Sequence, residues 1–338
     1  LLAVFLIFLK IILTDGNWFT EKKWLLLGLA AAGVILFRHN GLPIIVGGMV
    51  IMMLVFRKLM KPLTLSLLVM IITVGLIQGP LYSILKVEKN GYQGINQIYL
   101  HYISAHISKG TPLSKEEKDW INEICPMNRW IYDPCSVGTI INKSYFNTSV
   151  LNQNSRKNLE TFISLTMKAP MVSLQHAFRS SNMVWRIERS ECYLFRSDFW
   201  KRSDDSYCWI DPGPNQTILK EDSKLPWLVG LLYQIYLKSW ENPVLDALIW
   251  RPAFYMYWTI LVSIVLALRF ARGRFLLIGL ITELQSGLFL FITISQDVRY
   301  QFGVILIGLF CFGLLFLPKP TMSKDVNQSD YSPEEINR

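Results

Sequence analysis

Charge is scarce in this chain. Only 17% of its 338 residues are Asp, Glu, Lys or Arg, against about 25% in a typical soluble domain, which argues against an ordinary soluble enzyme. Histidine is rarer still, with four residues in all. Of these, His101, His106 and His176 stand at no ligand spacing from a cysteine, and no C-x-x-C pair occurs, so a zinc site has no support. Walker, Rossmann and nucleophile-elbow patterns are missing, as is any internal repeat, and nothing in the motifs supports an ATP-driven pump. No Lys/Arg stripe interleaves with aromatics, so the net charge of +9 does not point to nucleic acid. What is abundant is apolar surface: 51% of residues are hydrophobic and the mean hydropathy is +0.31. These figures select an integral membrane protein.

A hydrocarbon core about 30 Å thick takes roughly 20 helical residues. On that scale the apolar runs predict spans at 1–13, 24–37, 43–56, 63–82, 246–268, 275–294 and 302–318. The first run opens at Leu1, so the chain is expected to continue upstream. Runs 24–37 and 43–56 are short and flank Arg38-His39-Asn40-Gly41. Gly41 and Pro43 oppose one continuous helix, and two spans are expected rather than a re-entrant pair. Alternate short loops carry Lys22 and Lys23, then Arg57, Lys58 and Lys61, then Arg269, Arg272 and Arg274; the opposite set carries only Arg38 and Arg299. The richer set is therefore expected to be cytoplasmic. The expected fold class is mainly α: a polytopic α-helical protein of the cell (inner) membrane with an α-rich extracytoplasmic insert. Its parts are membrane helices at 1–86, the insert at 87–225, an interfacial helix with further spans at 226–318, and a cytoplasmic tail at 319–338.

The insert is nearly neutral, with 17 Lys/Arg against 15 Asp/Glu. In 92–109, Ile95, Tyr99, Ile103 and Ile107 recur every four residues and predict one apolar stripe. Ser114 and Glu117 form a capping box for a helix that Pro126 ends. Ser155 is the expected cap of a third helix through Lys168, and Pro170 starts a fourth, with Met171, Leu174 and Phe178 on one face. Residues 190–224 read as loop and short strand. Asn142, Asn147 and Asn215 fit the glycan-acceptor pattern. Four cysteines lie in the insert and allow three connectivities. The sequence-local pairs Cys125–Cys135 and Cys192–Cys208 are the expected ones, the second worth about 3 kcal/mol on a loop-entropy scale.

Polar residues collect where the spans meet the outer boundary. Arg38, His39 and Asn40 share one turn, and Gln296, Asp297, Arg299 and Tyr300 share another; Trp250 and Arg251 open the span after the insert. Guanidinium forks match phosphate oxygens and stay charged, so the two arginines beside His and Tyr suit a phosphate or diphosphate. Asp297 can orient Arg299, take a proton from an acceptor hydroxyl or bind a divalent cation, and His39 can act as an acid or hydrogen-bond donor. The competing reading is that Arg, Tyr and Trp here are only interfacial anchors. Within span 275–294, Glu283 and Gln285 are costly in lipid, and Lys10 is the expected partner of Glu283.

With its Arg38-His39-Asn40-Gly41 turn, its Asn96-Gln97-Ile98 helix, the segment LSKEEKDWINEICP at 113–126 and the Asp297-Val298-Arg299-Tyr300 turn, the chain resembles the GT-C class of multi-spanning glycosyltransferases. It is most similar to a group of bacterial membrane proteins of that kind. The resemblance implies transfer of a sugar from a polyprenyl-phosphate-linked donor to a cell-surface glycan or lipid. It implies Arg38 and Arg299 on the lipid-linked phosphate, His39 and Gln97 lining the site, and the insert shaping the acceptor cleft. Arg251 and Asn40 complete the expected binding set. The catalytic carboxylate of such enzymes lies in a first outer loop, which places it upstream of Leu1. One departure is Gly303, where the pattern often has proline. An O-antigen-type polymerase or ligase and a transporter or flippase are the competing classes.

Overall fold

The computed structural model describes residues 1–19, 22–38, 40–87, 93–188 and 225–318. Among these there is no strand, only an isolated bridge between Ser136 and Ser295. The N-terminal group comprises α1 (Leu2–Leu13), α2 (Lys23–Phe37), α3 (Gly41–Val55), α4 (Met60–Leu76) and α5 (Tyr82–Ile84). The insert holds α6 (Gln93–Ser108), α7 (Lys115–Ile124), α8 (Gly138–Ile141), α9 (Thr148–Gln153), α10 (Ser155–Lys168), α11 (Pro170–Ser180) and α12 (Asn182–Trp185). After it come α13 (Pro226–Glu241), α14 (Pro243–Trp250), α15 (Pro252–Phe270), α16 (Leu280–Ile292) and α17 (Phe302–Leu314).

Among the described residues, three helical stretches are long and apolar enough to cross a membrane: Arg57–Ile84, Pro252–Phe270 and Gly273–Ile292. Four others, Leu2–Leu13, Lys23–Phe37, Gly41–Val55 and Val298–Leu314, are apolar but shorter. The first long stretch runs through Pro80 because a π turn at Ile77–Leu81 absorbs the missing amide donor between α4 and α5. The expected span 246–268 is corrected. Arg251, the residue before Pro252, is extended (φ −99°, ψ 104°), so the run divides into α14 and α15. Likewise 275–294 begins as a 3-10 turn at Gly273–Gly279 and its helix stops at Ile292.

The bundle core is built from apolar faces of these helices, with Phe5, Phe8, Leu27, Ile45, Met49, Leu63 and Val262 nearly inaccessible. α2 lies along α4, where the Ser66 hydroxyl donates to Trp24 O at 2.9 Å. α15 meets α17 most closely at Gly308, where a Cβ would stand 2.6 Å from Tyr255 Cβ. Gly308→Ala is therefore expected to cost about 1–3 kcal/mol by overpacking. A lower melting temperature of the purified protein checks this; unchanged melting would mean that α17 shifts freely.

At one end of the bundle the basic loops gather. Asp15 pairs with Arg274, Lys58 Nζ donates to Asn17 Oδ1 at 3.1 Å, and Arg269 donates to Leu315 O at 2.6 Å. The opposite end carries the insert. Its capping box forms as the sequence predicts: Ser114 Oγ accepts from Glu117 N at 3.2 Å, and Glu117 accepts from Ser114 N at 2.6 Å. Glu117 also receives Lys168 at 2.6 Å and Ser164 at 2.7 Å, tying α7 to α10.

Other expectations change. Ser155 is the first helical residue of α10, and the capping position belongs to Asn154, which makes no side-chain cap bond. Asn147, read as a glycan acceptor, is exposed and also caps α9, its Oδ1 accepting from Val150 N at 3.1 Å, which leaves the glycan reading as it stood. The stripe on α6 is not its sole buried face, since Asn96, Leu100, His101, Tyr102, Ser104 and His106 are all buried while Ile95 is 44% exposed. α6 is the central helix of the insert, covered by α10 and α11 together. Met171, Leu174 and Phe178 do share one face of α11, but that face is exposed. No ion pair joins Lys10 to Glu283 among the described residues, and Lys10 is exposed; Glu283 instead folds back over Gly279. Cys125 is a buried free thiol whose Sγ faces Pro126 O at 3.8 Å, so the Cys125–Cys135 bridge does not form. Cys192, Cys208, the loop at 190–224 and Asn215 lie outside the described residues.

Candidate functional site

The two polar turns meet at the insert end of the bundle. α2 stops at Phe37 and Arg38 is extended, which sends its side chain across to the 3-10 turn Val298–Gln301. There Arg38 donates to Tyr300 O at 2.5 Å and to Arg299 O at 2.9 Å. The Tyr300 ring is the shared platform: Arg38 lies 5.4 Å and Arg299 5.5 Å from its centroid. Phe289 stacks beside it at 6.0 Å, and Arg38 also covers Phe289 at 5.8 Å. Asp297 caps the turn by accepting from Arg299 N at 3.0 Å, and its other oxygen pairs with Arg299 Nε at 2.5 Å.

The two arginines thus have different duties. Both terminal nitrogens of Arg38 are committed to carbonyls and the side chain is half-buried, so it braces the turn. Burial pulls its guanidinium below the usual value, with Tyr300 and Asp297 opposing and Arg299 assisting, yet an arginine remains charged. Arg299 is 73% exposed and held at Nε alone, which leaves its outer fork directed to solvent. A positive fork beside a carboxylate, on an aromatic platform, can take an anionic oxygen and a neighbouring hydroxyl together.

The remaining expected residues distribute differently. Asn40 is partly buried at the start of α3 and makes no side-chain cap bond. Arg251 is 1% exposed and pairs with Asp246 at 3.1 Å inside the α14–α15 corner. Gln97 is partly buried on α6, and among the described residues no hydrogen bond joins it to either turn. His39 lies outside the described residues. No group of three or more His, Cys, Asp or Glu converges as a metal site among the described residues.

Three contributions escaped the sequence reading. Gln285, read as a residue at depth in its span, donates to Tyr300 O at 2.8 Å and so holds the turn from below. Gly303 leaves room for Leu1, whose Cδ1 would be 2.9 Å from a Cβ there. Leu1 therefore lies beside the turn. The third is the insert's grip on residues 291–297. Tyr102 donates to Phe291 O at 2.9 Å, Val137 N donates to Ile294 O at 2.9 Å, Gln296 N donates to Cys135 O at 3.0 Å, and Gln296 Nε2 donates to Arg179 O at 2.9 Å. The polar residues of α6 and α11 gave no sign of this in the sequence, because their burial depends on the packing of the two helices.

Behind this grip is a ring cluster. His101 and His176 meet edge to face at 4.4 Å, Tyr102 lies 4.3 Å from His176, and the Tyr132 hydroxyl contacts His176 Nδ1 at 3.0 Å. His101 Nε2 lies 2.8 Å from Asp133 O. Burial, followed by the fields of His101, His106 and Arg179, holds His176 well below the usual imidazole value, and burial lowers His101 as well. For groups depressed in the folded state, stability is complete above the unfolded value near 6.5 and falls as pH drops toward the folded value. The protein is therefore expected to melt lower at pH 5 than at pH 7.5. His176→Phe is expected to flatten that slope; an equal slope in the variant would count against the cluster as its source. No protein-family model matches the chain, no curated protein matches it, and no solved structure matches it.

Proposed function

We propose that the chain is a multi-pass membrane glycosyltransferase of the GT-C kind, taking a sugar from a polyprenyl-phosphate-linked donor on the extracytoplasmic face. The observation that carries the proposal is the meeting of Arg38 and Arg299 over Tyr300 at the insert end of the bundle. An amphiphilic donor needs a cation for its phosphate next to an apolar surface for its chain. Phe37, 92% exposed, directly precedes Arg38. Orientation follows from the gathering of basic loops at the opposite end, which the positive-inside rule assigns to the cytoplasm. α13 then lies along the outer interface.

In this reading Arg299 holds the phosphate, Arg38 positions the turn, and Asp297 keeps the Arg299 fork oriented. The catalytic base is not assigned to Asp297, which is engaged twice by Arg299. The acceptor, a cell-surface glycan or lipid, approaches along the insert. Arg299→Ala in the full-length protein is expected to abolish glycan modification at unchanged expression. A wild-type surface-glycan profile from this variant would refute donor binding here. Accumulation of lipid-linked oligosaccharide in place of a lost sugar addition would favour the polymerase or ligase class.

A further inference from the structure

A second cationic feature lies on the insert, away from the arginine turn. Lys109, just after α6, and Arg179, in the last turn of α11, line one cleft with Tyr132, Gln175 and His176. The carbonyl ends of their helices favour a cation at each position separately. They do not account for two cations from different helices bordering the same hollow. Among the described residues neither forms a salt bridge. The carboxylate beside Tyr132, Asp133, is occupied elsewhere, accepting from Cys135 N at 2.8 Å and from the Thr139 hydroxyl at 2.7 Å.

Also lining the cleft is His176, 1% exposed. Its Nδ1 meets the Tyr132 hydroxyl at 3.0 Å, while its Nε2 is buried without a hydrogen-bond partner among the described residues. A buried polar atom without a partner is costly and marks a place for a ligand or water. With Tyr132 donating to Nδ1, Nε2 carries the proton and is a donor. The enclosed part of the hollow is only about 10 Å³, room for about one water-sized group, so a ligand can place a single small oxygen there with the rest of it outside the mouth.

We propose that this cleft binds a small oxyanion, the phosphate or carboxylate group of a ligand reaching the insert, between Lys109 and Arg179 with His176 Nε2–H donating to it. The proposal stands independently of the glycosyltransferase reading. Because Arg179 O is bonded to Gln296, an anion held here would sit next to the segment leading into the arginine turn.

The test uses the full-length protein in uncharged detergent, carrying Arg299→Ala so that the other anion site is silent. Thermal unfolding is followed against millimolar inorganic phosphate in one arm and glucuronate in the other, at constant ionic strength. A saturable rise in melting temperature in either arm, weakened about tenfold or more in apparent affinity by Lys109→Ala with Arg179→Ala, supports the site. Response to glucuronate identifies a carboxylate ligand, and response to phosphate alone a phosphate. Both substituted side chains are exposed, and unchanged melting without anion shows that the double variant is folded. No rise in either arm, or an equal rise in the double variant, overturns the proposal. Neither result touches donor binding, which is read separately from Arg299 in the glycan profile.

Discussion

If the proposed function holds, replacing Arg38 by alanine is expected to reduce sugar transfer by roughly a hundredfold or more, although Arg299 rather than Arg38 is the residue proposed to hold the donor. The substitution removes two charge-assisted hydrogen bonds, to Tyr300 O and Arg299 O, and two cation–ring contacts. Hydrogen bonds to charged groups are worth about 1.5–3 kcal/mol each, and loss of about 3 kcal/mol of positioning corresponds to more than two decades in rate. Arg38→Lys is expected to behave nearly as badly, since one ammonium cannot reproduce a fork that spans two successive carbonyls. The check is transfer rate at saturating donor for both variants. A lysine variant with full activity would mean that charge alone matters and that the brace is unnecessary.

The largest expected loss of stability is at Asp246. Arg251 is 1% exposed, and its Nε meets Asp246 Oδ2 at 3.1 Å. Removing one member of a buried pair typically costs about 3–5 kcal/mol, because the surviving charge stays buried while losing that ion pair. Asp246→Ala is therefore expected to unfold the α14–α15 corner and lower the yield of folded protein sharply. Replacing both members by apolar residues of similar size is expected to recover most of that loss. Melting together with the activity of the double variant distinguishes this account from one in which Arg251 acts on substrate: here the double variant is stable and active, there stable but inactive.

Much of the architecture was legible because it rests on local chemistry. The apolar runs became the bundle helices, the Ser114–Glu117 box closed, and Pro170 began α11. Even the meeting of Arg38 with the Asp297–Tyr300 turn followed from counting alternate loops. What escaped depends on tertiary partners. Nothing in the pattern of α6 says that a second face is covered by α10 and α11, so its histidines read as idle. Nothing local told which arginine of the two would spend its fork on backbone carbonyls. The break at Trp250–Arg251 was legible and passed over, since Pro252 disfavours a helical conformation at the residue before it. The expected pairing of Cys125 with Cys135 failed because Cys135 is disulfide-bonded elsewhere, while Cys125 packs as a free thiol with Leu100, Trp120 and Ile124, which no spacing argument could show.

The central claim is that the Arg299 fork, steadied by Arg38 over Tyr300, holds the phosphate of a lipid-linked donor. Its most direct measurement is sugar transfer from a radiolabelled polyprenyl-phosphate donor in membranes bearing the full-length protein, comparing wild type with Arg299→Ala. The account predicts transfer by the wild type and loss of about a hundredfold or more in the variant at equal protein. Wild-type transfer by Arg299→Ala would contradict it.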